Sequence, residues 1–98
     1  MAGDAAEVAP NVYTVLFENA RVRLLEARLK PGDSSALHSH PDYLVYNLDD
    51  GKVKFGGPSG EGEVVELKAG EVMWRDAEEH TAEGVGASDV HALLFELK

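Results

Sequence analysis

The chain holds four histidines, His38, His40, His80 and His91, and no cysteine. Thiolate metal sites, disulfides and cysteine nucleophiles are therefore excluded, and a metal site must draw on His, Asp or Glu. His38 and His40 are two apart. On a strand, residues two apart point to the same face, so both imidazoles would lean into one space. A metal requires such convergence, because its ligand nitrogens sit about 2 Å from a common point. A third ligand must come from elsewhere in the fold. His80, which follows a second turn-and-strand unit, is the candidate. On spacing alone another reading stands beside this one, a solvated strand end or a single packed imidazole.

The elements that must position these rings are strands. Segments 12–17 (VYTVLF), 43–48 (YLVYNL), 52–56, 63–68, 72–75 and 89–97 are rich in β-branched and aromatic residues or alternate in polarity. In 21–29, Arg23, Leu25, Ala27 and Leu29 share one face, and Val22, Leu24, Glu26 and Arg28 share the other. Pro31-Gly32 and Ala69-Gly70 are turn signals, and Asp50-Gly51 predicts a hairpin. The stretch 56–62 reads as a flexible loop. Short strands with Gly and Pro between them indicate an all-β sandwich or barrel. Residues 1–11 read as a flexible N-terminal arm, with a short helical turn as the minor option, and 12–98 as one barrel domain. At 98 residues there is room for one core.

The histidines lie in a pattern that resembles the cupin family. The first cupin motif runs Gly, five residues, His-x-His, three or four residues, Glu, six residues, Gly. Here it reads Gly32-DSSAL-His38-Ser39-His40-PDY-Leu44-VYNLDD-Gly51. The second motif is degenerate and reads Gly70-EVMWR-Asp76-Ala77-Glu78-Glu79-His80. The resemblance spans about residues 13 to 97. It implies a single-domain cupin, a jelly-roll-like double-stranded β-helix barrel. It also implies one divalent transition metal (Fe, Zn, Ni, Mn or Cu) on His38, His40 and His80. The motif glutamate is replaced by Leu44, which cannot ligate, so three ligands carry over and not four. Thiol dioxygenases and diketone-cleaving dioxygenases are cupins that work with three histidines. The implied function is a dioxygenase-like or isomerase-type enzyme on a small organic anion. A non-catalytic ligand-binding or structural module is the alternative.

Other residues are weighed beside these. Asp42 has the strand parity of His38 and His40 and could replace the missing carboxylate, but Pro41 interrupts the strand, and a place at the rim is the expected one. Tyr46 has the same parity and is a candidate for the cavity, and Trp74 is a candidate for the pocket wall, although filling a barrel core without touching a ligand is the commoner outcome for both residue types. His91 shares a face with Leu93, Phe95 and Leu97, and that face is expected to be buried. It is read as a packed histidine, with a fourth ligand or a supporting role at the metal as the outsider. Glu78 and Glu79 read as solvated loop carboxylates. With 9 Lys and Arg against 18 Asp and Glu, the net charge is −9. An acidic surface repels nucleic acid and anionic membranes. No signal peptide or membrane span is evident, so a cytoplasmic protein is expected. The resemblance further implies a homodimer, with 12–17 as a partner-facing strand.

Overall fold

The computed structural model describes residues 3–58 and 62–98. The centre of the expected 56–62 loop and the first two residues of the expected arm lie outside the described residues. The described chain runs β1 (Gly3–Asp4), α1 (Ala5–Val8), β2 (Tyr13–Glu18), β3 (Val22–Leu29), β4 (His38–His40), β5 (Tyr43–Asn47), β6 (Gly51–Gly56), β7 (Gly62–Leu67), β8 (Val72–Arg75), β9 (Glu78–Gly84) and β10 (Val90–Leu97). Two five-stranded sheets face each other, ordered β1-β4-β9-β6-β7 and β2-β3-β10-β5-β8. This is the expected all-β double-stranded helix. No described helix is long and apolar enough to cross a membrane.

Alternation decides which side of each strand lines the interior. In β3 the inward set is Arg23, Leu25, Ala27 and Leu29, the face grouping expected from the sequence. Leu25, Leu29, Val45, Val53, Ala92 and Leu94 belong to the core between the sheets. Gly32 and Gly70 adopt φ of 88° and 84°, as turns in the left-handed region require.

Three expectations are corrected. Asp50-Gly51 makes no hairpin, because β5 pairs with β10 and β8 while β6 pairs with β7 and β9. The dipeptide instead carries the chain from one sheet to the other. Residues 3–9 are not a loose arm. Gly3 and Asp4 pair in parallel with His38 and Ser39. Ala5 and Ala9 are fully buried, small enough to pack beneath the barrel end. Asp4 accepts from the Ala6 N–H at 3.2 Å and from the Arg23 guanidinium at 2.5 and 3.0 Å. Lastly, residues 78–84 form a strand, so Glu78 and Glu79 do not lie in a loop.

Candidate metal centre

β4 and β9 pair antiparallel with His38 directly opposite His80 and His40 opposite Glu78. This register places the three imidazoles together in the interior. Ring centroids are 4.8 Å apart for His38 and His40, 4.8 Å for His38 and His80, and 5.1 Å for His40 and His80. One ligand nitrogen from each lies within 4.8 Å of the others, and all three side chains are buried.

The partners of each ring assign which nitrogen is left over. His38 Nδ1 lies 2.8 Å from the Ala36 carbonyl and donates to it, which leaves the Nε2 lone pair facing inward. There it meets the Tyr13 hydroxyl at 3.0 Å. Burial pushes the Tyr13 phenol far above its usual range, so it stays protonated and donates. His40 Nδ1 donates to Glu96 Oε2 at 2.6 Å, and His40 Nε2 has no partner. His80 Nδ1 lies 3.3 Å from Glu78 Oε1 without hydrogen-bond geometry, and neither of its nitrogens is hydrogen-bonded. Buried polar atoms without partners are costly and therefore rare. Lone pairs of neutral imidazoles aimed at a common space are what a divalent metal satisfies. Rings oriented through the far nitrogen by carboxylates or carbonyls are the usual support of such a site. The residues present fit a metal.

Behind two of the rings stand carboxylates that sequence reading missed or misplaced. Glu96 is 2% exposed and is also held by Arg23, whose Nε donates at 2.8 Å. Arg23 in turn reaches Asp4, giving a chain His40–Glu96–Arg23–Asp4. Glu78 accepts from Arg75 Nε at 2.5 Å and Nη2 at 2.9 Å, and from the Tyr43 hydroxyl at 2.7 Å. Burial alone would raise the Glu78 pKa, but Arg75, His80 and Tyr43 outweigh it and hold the carboxyl well below its usual range. Each glutamate is matched by one arginine. The available signal was the Glu78-x-His80 spacing, which puts both on one face of a strand.

The other sequence candidates lie elsewhere. Leu44 and Tyr46 point out of the barrel, because β5 belongs to the opposite sheet from β4 and the Pro41-Asp42 crossing resets the parity. The inward residue is Tyr43, whose ring lies 4.6 Å from His40. Trp74 is half-exposed on the outer face and donates to Asp76 Oδ1 at 2.9 Å, so it walls no interior pocket. Asp42 is exposed and accepts from the Ala77 N–H at 2.8 Å, at the rim. His91 is on the outward face of β10, partly exposed, 2.8 Å from Glu26 Oε2. It is neither in the core nor beside His38, His40 and His80.

A cavity adjoins the histidines inside the barrel. The space open to water centres is about 40 Å³, room for roughly three waters. Its lining includes Tyr13, Tyr43, Asn47, Phe55 and His80, with aliphatic residues for the rest, and no Lys, Arg, Asp or Glu. Asn47 Oδ1 is buried there without a partner.

No family model matches the chain. The beta-alanine degradation protein BauB of Pseudomonas aeruginosa is 35% identical over 89 residues, which cover 89% of this chain and 93% of that protein. A cupin domain from Bordetella pertussis Tohama I superposes with a TM-score of 0.80 at 27% identity, over 89% of this chain and 92% of that one. The chain is a cupin. At 11% identity, an RmlC-like cupin from Methanocaldococcus jannaschii still superposes at a TM-score of 0.69, over 88% of this chain and 78% of that one, and shows the shared fold.

The buried rings give this cupin a defined response to acid. Burial pushes His38 from 6.5 down to about 4 and also lowers His80. Between these values the unfolded chain binds protons that the folded chain refuses, so stability is full above about pH 6.5 and falls as pH drops towards 4. Urea midpoints of the metal-free protein at about pH 7 and pH 4.5 are expected to show a clear loss at the lower pH. Equal midpoints would mean the imidazoles protonate freely in the fold.

Proposed function

We propose that this cupin binds one divalent metal ion through His38, His40 and His80, and that it is an enzyme of dioxygenase or isomerase type acting on a small organic molecule. One observation carries the reading. Three buried imidazoles converge, and the far nitrogens of His38 and His40 are each tied to an acceptor. A divalent metal there would supply Lewis-acid chemistry, or oxygen activation if it is iron.

The chain's own residues shape the rest. Three neutral ligands leave the metal its full charge, and Arg23 and Arg75 balance the two glutamates behind the rings. The cavity wall is mostly apolar. Tyr13 is a protonated donor beside the His38 nitrogen and can orient an acceptor on the ligand. No charged side chain lines the cavity, so the head group of an anionic substrate would have only the metal to neutralise it. The unpartnered Asn47 oxygen favours a donor, such as an amine or hydroxyl, elsewhere on that molecule. The name of BauB points to β-alanine breakdown for that relative, and a small amino-carboxylate has both kinds of group. The narrowness of the cavity favours the second reading in its structural form, a cupin module whose largely filled interior takes no substrate.

The test is metal content by plasma mass spectrometry, after reconstitution under reducing conditions with iron, zinc, nickel, manganese or copper. About one ion per chain is expected in the parent, and its loss in His38→Ala and His80→Ala variants that keep their circular dichroism. A folded parent that takes up no metal would overturn the reading.

A further inference from the structure

The three converging rings are not equivalent. His40 Nε2 and both nitrogens of His80 have no hydrogen-bond partner, whereas His38 Nε2 is taken by the Tyr13 hydroxyl at 3.0 Å. A neutral imidazole offers one lone pair, on the nitrogen that carries no proton. In His38 that nitrogen is Nε2, because Nδ1 donates to the Ala36 carbonyl. A metal ion bonds an imidazole nitrogen at about 2 Å through the same lone pair that accepts a hydrogen bond. The Tyr13 hydroxyl and an ion therefore compete for His38.

The fold holds Tyr13 in this place. Tyr13 opens β2, and the Ala9 carbonyl accepts from the Val12 and Tyr13 N–H groups at 3.1 and 3.0 Å. β1 and β2 are end strands of the two different sheets, so residues 3–13 cross from one sheet to the other beside the histidines. The segment meets His38 a second time, where Gly3 pairs in parallel with it. Tyr13 is 5% exposed, and its ring stands edge-on to His38 and His40 with centroids 4.9 and 5.5 Å away. The hydroxyl is thus buried and aimed at a ring nitrogen, with no solvent to replace that partner.

From this arrangement we propose that Tyr13 is a built-in competitor for the metal, which caps His38 in the metal-free protein and gives up its hydrogen bond when an ion enters. The proposal rests on the metal-binding reading of the three histidines. The sign of the effect separates it from other roles. A tyrosine that braced the rings, or joined them around the ion, would strengthen metal binding. A competitor weakens it, because a buried hydrogen bond is broken for each ion bound. The hydroxyl released in this way is the donor left to meet an acceptor on a bound ligand.

Zinc affinity of the full chain, read by competition with a chromogenic chelator, tests this on Tyr13→Phe. Tyr43→Phe is the control, because the Tyr43 ring lies 4.6 Å from His40 while its hydroxyl bonds Glu78 and no ring nitrogen. Tyr13→Phe is expected to bind zinc roughly three- to tenfold more tightly than the parent, the worth of one net hydrogen bond. Tyr43→Phe is expected to bind it no more tightly than the parent. Equal or weaker binding by a folded Tyr13→Phe protein overturns the proposal and leaves the metal reading standing, and so does an equal gain in Tyr43→Phe. Absence of zinc binding in both the parent and Tyr13→Phe overturns the two together. Imidazole nitrogen NMR of the metal-free parent gives a readout that needs neither metal nor variant. There His38 Nε2 is expected to resonate as a hydrogen-bonded acceptor and His40 Nε2 as a free lone pair. A His38 Nε2 signal at the free position overturns the proposal whatever the zinc result.

Discussion

Replacing Glu96 with alanine is expected to destabilise the metal-free protein by about 3–5 kcal/mol and to weaken metal binding by roughly 10- to 100-fold. The stability loss follows from what the carboxylate leaves behind. Glu96 is 2% exposed, and its two oxygens hold Arg23 and His40 at 2.8 and 2.6 Å. Without it, a guanidinium with 12% side-chain exposure keeps only Asp4, and the His40 Nδ1–H loses its acceptor in a dry interior. Breaking a buried pair from one side costs more than the pair contributes, because the surviving charge has nothing to replace its partner. The metal effect comes through ring orientation and basicity. A freed His40 ring can turn its Nε2 away, and it also loses the electron donation of an attached carboxylate. Glu96→Gln keeps the shape and one acceptor, so its losses are expected to fall between those of the parent and Glu96→Ala. Urea unfolding gives the first quantity and competition with a chromogenic chelator gives the second. A stability loss below about 1 kcal/mol for Glu96→Ala would show that the relay carries no weight.

The contrast between what could and could not be read from the chain has a physical basis. Periodicity within one strand was legible. The two faces of β3 follow directly from alternation, and His38 and His40 share a side for the same reason. Periodicity carried across a break was not. Tyr46 counts evenly from His40, but the crossing at Pro41-Asp42 moves the chain to the opposite sheet, and Tyr43 takes the inward place. The face of His91 was misjudged because Leu93, Phe95 and Leu97 look like a core set. The inward set of β10 is Val90, Ala92, Leu94 and Glu96, which includes a carboxylate. A charged residue reads as solvated until its partner is known, and Arg23 lies 73 positions away in sequence. The three histidines were visible through a motif. The groups that orient them depend on strand register, which no local pattern reveals.

Glu78 offers the second large effect and a sharper control. Glu78→Ala is expected to cost about 2–3 kcal/mol near neutral pH, discounted from a fully buried pair because the side chain is 23% exposed. It strands the Tyr43 hydroxyl and the Arg75 guanidinium, which lies 4.3 Å from the centre of the Phe55 ring. Phe55 stacks on His80 with ring centroids 4.8 Å apart, so the loss also loosens the packing behind one of the three converging imidazoles. The sign of the pH dependence separates this from a general packing defect. Because its folded pKa is held below the ordinary 4.5, Glu78 stabilises the fold fully above that value and progressively less as pH falls beneath it. The gap between parent and variant must therefore narrow under acid. Urea midpoints of the two metal-free proteins, taken at about pH 7 and about pH 3.5, measure that gap twice. A narrowing gap identifies the stabilising species as the ionised carboxylate held by Arg75 and Tyr43. A gap of constant size would mean that Glu78 acts only by filling space, and the charge balance around His80 would have to come from other groups.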